Sequence, residues 1–214
     1  MKDLGKAALI LGMQITQTKD IIKVDQERYI EIKKLLKTFR MEYCKTAATP
    51  AAAGCHLKKS DHTPDDRIPY QKYQNLIGSL MYLAVCTRPD ITHAVSTLSQ
   101  FNTFYREEHW IGAKRVLRYL KGTKSRGIVN FKRCSADRFI QGYSDASHGG
   151  DEDRKSWTGY TFLAQGAAVC WQSIKQKTIA LSTAEAEYVA LSEAAREAIF
   201  LRMLIAQTPG RTRN

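Results

Sequence analysis

The strongest constraint on the fold of this 214-residue chain is a long helical period near its C-terminal end, preceded by three short runs of strand formers. The period runs from Ser182 to about Ile205. Ser182 or Thr183 suits the N-cap, where a hydroxyl accepts a hydrogen bond from an otherwise orphaned backbone N–H, and acids in the first turns complement the helix dipole. On a projection at about 100° per residue centred on Glu187, one half collects Ala184, Tyr188, Ala190, Leu191, Ala194, Ala195, Ala198, Ile199 and Leu201. Glu185, Ser192, Glu193, Arg196 and Glu197 fall on the other half. Glu187 therefore reads as a carboxylate in an apolar stripe, which is costly unless it is paired or binds a metal. The ordinary alternative is a salt bridge at the rim of the core.

The preceding runs, 138–146, Trp157 to Leu163 and Ala167 to Ile174, read as strands. Turn signals at His148-Gly149-Gly150-Asp151 and at Gly166 join them into an antiparallel meander. Asp145 lies near the end of the first run, where aspartate is disfavoured, unless the strand simply ends one residue early. A strand aspartate and an inward glutamate on the covering helix would let two carboxylates meet over the sheet. Clustered carboxylates suit a hard cation such as Mg2+, and paired ions of that kind support phosphodiester cleavage.

Upstream, Ala8 to Ile15 and Ile21 to Val24, interrupted by Gln17 to Asp20, predict a β-hairpin. Tyr29, Ile32, Leu35, Leu36 and Phe39 predict a helix from Asp25. Residues 44–69 lose periodicity and read as a long loop. A helix from Tyr70 is broken by Pro89, and Asp90 is placed to cap the next one, which is expected to run to about Phe104. A further helix covers Glu107 to Leu120 and ends at Gly122. Its Lys114, Arg115, Arg118 and Lys121 form either a solvated face or a track for a phosphate backbone. The domain boundary is expected between Gly122 and Cys134.

Hydrophobic residues make up 43% of the chain, enough for a buried core. The 33 Lys and Arg against 21 Asp and Glu give a net charge of +12, which favours polyanionic partners such as nucleic acid. Cys44, Cys55, Cys86, Cys134 and Cys170 are odd in number and scattered, so reduced thiols are expected rather than a disulfide framework or a zinc site. Neither a membrane span nor a secretory leader pattern is visible, so no membrane association and an intracellular, cytoplasmic or nuclear location are expected.

The succession Gly142-Tyr143-Ser144-Asp145-Ala146, Ser156-Trp157-Thr158-Gly159-Tyr160, Cys170-Trp171-Gln172-Ser173-Ile174-Lys175-Gln176-Lys177 and Leu181-Ser182-Thr183-Ala184-Glu185-Ala186-Glu187-Tyr188 closely resembles the ribonuclease H domain of copia-type retrotransposon Pol polyproteins. The upstream half is similar to the same polyproteins. Leu11-Gly12-Met13-Gln14-Ile15 looks like the strand after the polymerase active site, while Thr87-Arg88-Pro89-Asp90-Ile91 and His109-Trp110 look like the thumb and connection region. The resemblance implies an α+β chain with a reverse transcriptase palm-end hairpin at 1–26, a helical thumb/connection-like region at 27–130 and a ribonuclease H-like domain at 131–214, built from three antiparallel strands and a long helix. It implies that Asp145 and Glu187 are the first two metal-binding and catalytic acids, served by Mg2+. It also implies that Lys175, Lys177, Ser182 and Thr183 approach the backbone of an RNA–DNA hybrid.

The sequence departs from the family pattern in two respects. It lacks the paired polymerase aspartates that precede the Leu-Gly-Met strand, and no Asp follows Asp153, so the later ribonuclease H acids are absent. Glu185, Glu187, Glu193 and Glu197 are the only later acids. The expectation is a truncated retrotransposon-derived fragment, inactive by itself, with weak Mg2+ binding and residual nucleic-acid binding. A partner chain completing the sheet would restore the site. The alternatives are an active Mg2+-dependent ribonuclease H cutting the RNA strand of a hybrid, and a domesticated nucleic-acid-binding module.

Overall fold

The computed structural model describes residues 5–30, 35–52, 54, 57–58, 68–131, 140–150 and 153–207. The chain divides into two compact units, Met1–Asp137 with Gln165–Ala167, and Arg138–Ala164 with Ala168–Asn214. Among the described residues there are two antiparallel sheets and five helices, an α+β architecture as the sequence predicts. Of the residues used above, Ile32, Cys55, Pro64, Cys134, Arg138, Phe139, Asp151 and the 208–214 stretch lie outside the described ones.

The first unit opens with β1 (Leu9–Ile10), β2 (Met13–Gln17) and β3 (Ile21–Asp25). The predicted hairpin is the β2–β3 pair, with Gln17 opposite Ile22. A second, tighter turn joins β1 to β2 through Leu11 and Gly12 alone, both at positive φ (46° and 75°). Two-residue turns of this hand match the twist of the flanking strands. Tyr82 donates its hydroxyl hydrogen bond to the Leu11 carbonyl, so the turn is tied to a helix.

A fourth strand, β4 (Ile128–Phe131), pairs with β3 and was not expected. It occupies the stretch read as a domain boundary. Four residues are too few to display an alternating pattern, and the partner lies a hundred residues upstream. Gly127 is required at its entry, since an added Cβ would fall 2.4 Å from the Val24 carbonyl oxygen.

The helix expected from Asp25 opens two residues after it, with helical backbone over residues 27–30. Asp25 ends β3, is ion-paired to Lys23 at 2.9 Å, and accepts a hydrogen bond from the Glu27 N–H. The regular helix α1 covers Leu35–Thr38 and buries Leu35 and Leu36. The described part of 44–69 contains no regular strand or helix.

Helices α2 (Tyr70–Cys86), α3 (Thr92–Ser99) and α4 (Glu107–Gly122) make the main core. From α2, Tyr73, Leu76, Ile77, Leu80 and Leu83 meet Val95 and Leu98 of α3 and Ala113, Val116, Leu117 and Leu120 of α4. These positions recur at three and four residues, which places them on one face of each helix. Helix α3 stops at Ser99, short of the Phe104 expected.

The assignment of Asp90 as a cap is also corrected. No side-chain cap bond opens the Pro89–Ile91 3-10 turn or α3. The Asp90 carboxylate instead receives Arg88 Nε and Nη2 at 2.9 and 2.8 Å and the Tyr119 hydroxyl at 2.7 Å. Arg88, 1% exposed, also donates to the Thr123 carbonyl and hydroxyl at 3.0 and 2.7 Å. The guanidinium fork matches the planar carboxylate, and this geometric match outcompetes a single capping bond. Burial acts to raise the Asp90 carboxyl, but hydrogen bonds from Arg88 and Tyr119 outweigh it and hold the carboxyl below the usual aspartate range.

His109 is fully buried at the start of α4 and stacks on Phe101. Its Nδ1 accepts the Arg106 N–H at 2.8 Å, so the neutral ring carries its proton on Nε2, which lies 3.2 Å from the Lys58 carbonyl. Desolvation lowers the His109 pKa, with the Glu108 charge acting against it.

Two outcomes are expected. Replacing Asp90 with Ala leaves Arg88 buried without its counter-charge and should cost about 3 kcal/mol, measured by urea unfolding; a loss under about 0.5 kcal/mol would contradict the clasp. For His109 the folded pKa lies below the unfolded value of roughly 6.5, so the unfolded chain binds protons first as pH falls. The histidine's contribution is therefore intact above about pH 6.5 and lost on acidification. Urea titrations between about pH 7 and 5 should show this fall, and His109→Gln should flatten it.

Candidate functional site

The second unit carries β5 (Ile140–Ser147), β6 (Trp157–Ala164), β7 (Ala167–Lys175) and α5 (Thr183–Ala206), with the sheet ordered β5-β6-β7. These are the meander and long helix that the sequence predicts. The Ser182 hydroxyl accepts the Glu185 N–H at 3.2 Å, and Glu185 returns a bond by accepting the Leu181 N–H at 2.7 Å. Ser182 is therefore the cap, and Thr183 is the first helical residue.

Helix α5 packs on the sheet through Ala186, Ala190, Ala194 and Leu201. Three alanines at four-residue spacing let the helix backbone approach closely. Buried Gln176 exploits this closeness, donating to the Ala186 carbonyl at 3.0 Å and to the Thr158 hydroxyl at 3.1 Å. Further along, the Cys170 thiol donates to Glu197 at 3.0 Å. Burial, then the Glu197 hydrogen bond and charge, push the thiol up to about 12, so it stays a protonated donor at neutral pH.

This stripe differs from the predicted one. Glu187 is exposed, as are Tyr188 (74%) and Leu191 (57%) beside it. Glu197, assigned to the solvent half, is partly buried against the sheet. The projection was centred on Glu187, whereas at about 100° per residue the buried Ala186, Ala190, Ala194 and Leu201 lie to one side of it, the side toward which Glu197 also falls.

Asp145 is exposed within β5, directly opposite Gly159. The β5–β6 register is unbroken from Ile140↔Ala164 to Ser147↔Trp157, so side chains alternate strictly. Phe162 and Tyr160, opposite Gly142 and Ser144, lie on the face that α5 covers. Asp145 therefore projects from the other face. Asp145 thus stands on the face of β5 that α5 does not cover, and Glu187 on the exposed side of α5. Both are open to solvent on neighbouring elements, and among the described residues no three His, Cys, Asp or Glu side chains gather closely enough to hold a metal ion.

The predicted nucleic-acid contacts divide. On α4, Arg115 donates to the Thr49 hydroxyl at 2.9 Å, Arg118 to the Lys45 carbonyl at 2.7 Å, and Lys121 to the Cys44 carbonyl at 2.7 Å. These three strap the 44–49 segment onto the helix. Lys114 sits 5.6 Å from the Trp110 ring centroid. In the second unit, Lys175 is ion-paired to Asp153 at 2.9 Å, while Lys177 and Thr183 are exposed. The strapping acceptors are mostly backbone carbonyls of an aperiodic segment, which no side-chain pattern signals.

No family model and no solved structure matches the chain. It is 44% identical over 216 residues to the retrovirus-related Pol polyprotein from transposon TNT 1-94 of Nicotiana tabacum, covering 96% of this chain and 16% of that polyprotein. To the polyprotein from transposon RE1 of Arabidopsis thaliana it is 34% identical over 208 residues, 97% of this chain and 14% of that one. A secreted RxLR effector protein 161 of Plasmopara viticola is 47% identical over 139 residues, 64% of this chain and 96% of that protein. The chain belongs to the copia-type retrotransposon Pol polyprotein family. It spans only a small part of the polyproteins that it matches along nearly its whole length.

The close approach of Gly142 to its cross-strand partner Phe162 gives a direct test. A Cβ on Gly142 would lie 2.4 Å from the Phe162 ring. Gly142→Val should therefore cost about 1–3 kcal/mol through overpacking and shift the thermal midpoint of the second unit downward; an unchanged melting curve would contradict the packing.

Proposed function

We propose that this chain is the thumb/connection and leading ribonuclease H portion of a copia-type Pol polyprotein, and that it does not cleave nucleic acid by itself. The carrying observation is the placement of Asp145 on β5 and Glu187 on α5, exposed and without a third ligand gathered near them among the described residues. In this reading the two acids are contributed to a Mg2+-dependent site acting on the RNA strand of an RNA–DNA hybrid, and the remaining ligands come from elsewhere. Among the described residues β5 pairs only with β6, which leaves a sheet edge at which a further strand, in this polyprotein or from a partner chain, can add by backbone hydrogen bonding. Residual nucleic-acid binding rests on the net charge of +12, with Lys177, Ser182 and Thr183 as the second unit's contacts. Arg115, Arg118 and Lys121 have a prior structural duty, so their share of that binding is small.

The test is a Mg2+ titration with a labelled RNA–DNA hybrid, using the chain and its Asp145→Asn and Glu187→Gln variants. The expected result is no cleavage by the folded chain above either variant. Mg2+-dependent cleavage abolished by both substitutions would overturn the proposal and establish an active ribonuclease H.

A further inference from the structure

The first unit contains a cavity of about 560 Å3 between α3, α4 and the strapped segment. That volume falls within the roughly 300–1,000 Å3 typical of small-molecule sites. Its walls are mainly apolar, with Met41, Ala51, Leu57, Ala94, Leu98 and Ile111 among them. The α4 wall also carries Lys114, Arg115 and Arg118. The Arg115 Nε–H is buried and has no acceptor among the described residues, although Nη2 is satisfied by Thr49. That nitrogen is closed to the cavity as well as to solvent, so what Arg115 offers a ligand is the positive charge of its guanidinium, beside those of Lys114 and Arg118. The acid on the wall, Glu108, lies 3.6 Å from His109 Nε2 at the far end of its side chain's reach, so cations outnumber acids around the cavity.

We propose that this cavity binds an amphipathic organic anion, an aliphatic or aromatic body bearing one carboxylate or phosphate, with the acidic group at Arg115. The apolar body replaces water against the α3 and α4 side chains, and the anionic group lies against the Arg115 guanidinium. Shape alone would admit an alcohol or an amine of the same chain length. The charge of the wall selects the acid. Because Arg115 and Arg118 also hold the 44–49 segment, an occupied cavity links that segment to the helical core. None of this depends on Asp145, Glu187 or the ribonuclease H reading.

The experiment is isothermal titration of the full chain with dodecanoate, dodecan-1-ol and dodecylamine below their aggregation thresholds, with folding of each variant checked by circular dichroism. Expected are saturation by dodecanoate at one per chain and at least tenfold weaker binding of dodecylamine. Ala51→Trp fills the cavity from an exposed wall position and should weaken dodecanoate by tenfold or more. Arg115→Met keeps the apolar stem and should weaken dodecanoate about tenfold, the effect of one charge-assisted hydrogen bond, while leaving dodecan-1-ol within about twofold. Equal binding of amine and acid, indifference to Ala51→Trp, or no saturable binding by the folded chain would overturn the proposal; in the last case the cavity belongs to a polypeptide occupant instead.

Discussion

The helical core of the first unit depends on a single buried guanidinium. Arg88 lies at the point where α2 has ended and the chain reverses into α3, and it holds the end of α4 through Thr123. A charge so deeply buried is tolerated because each edge of the guanidinium meets an acceptor and because Asp90 supplies the counter-charge. The network then extends outward. Tyr119 donates to Asp90, Arg126 donates to Tyr119, and Thr123 donates to the Tyr119 carbonyl. Apolar side chains such as Leu80, Leu83 and Leu117 are fully buried in this core, but dispersion has no direction and they would pack in several helix arrangements. The directional bonds of Arg88 select one.

That network explains why some of the fold was legible in the sequence and some was not. Helices α2, α4 and α5 and the strands of the meander carry their periods in side chains, and those elements lie where the periods place them. Asp90 reads as a cap because a capping pattern says nothing of Arg88, two residues before it, turning its guanidinium fork back onto the carboxylate, or of Tyr119, which reaches it only after folding. Strand β4 was missed because its pairing with β3 is nonlocal and its own four residues say little. Long elements with local periods are readable, whereas short strands and polar hubs are fixed by contacts distant in sequence.

The candidate site shows the same division. Asp145 and Glu187 stand out in the sequence, which also narrows the cap to Ser182 or Thr183. The relation of the two acids in space does not. Strand alternation turns Asp145 away from α5, and the alanine stripe rotates α5 so that Glu187 stands at its flank. A helical projection centred on Glu187 presupposes that its direction is inward, and nothing in the sequence marks the alanines to one side of it as the contact. The closeness that Ala186, Ala190 and Ala194 permit is also what allows Gln176 to reach the Ala186 carbonyl. In this unit the small side chains set the geometry, and of the larger apolar residues of α5 Leu201 joins them while Tyr188, Leu191, Ile199 and Phe200 remain exposed.

The basic residues of α4 carry the last step. A net positive charge invites the reading that each lysine and arginine awaits a phosphate. Yet a guanidinium or ammonium beside an aperiodic segment has a competing use, because such a segment leaves carbonyl oxygens without partners in a helix or sheet. Cys44 and Lys45 present such carbonyls, and Lys121 and Arg118 take them. The charge that could have marked a nucleic-acid track is thereby spent on fixing one wall of a cavity. Charge composition thus constrains the class of partner for the whole chain, while the hydrogen-bond needs of the local backbone decide which individual cations remain available to meet it.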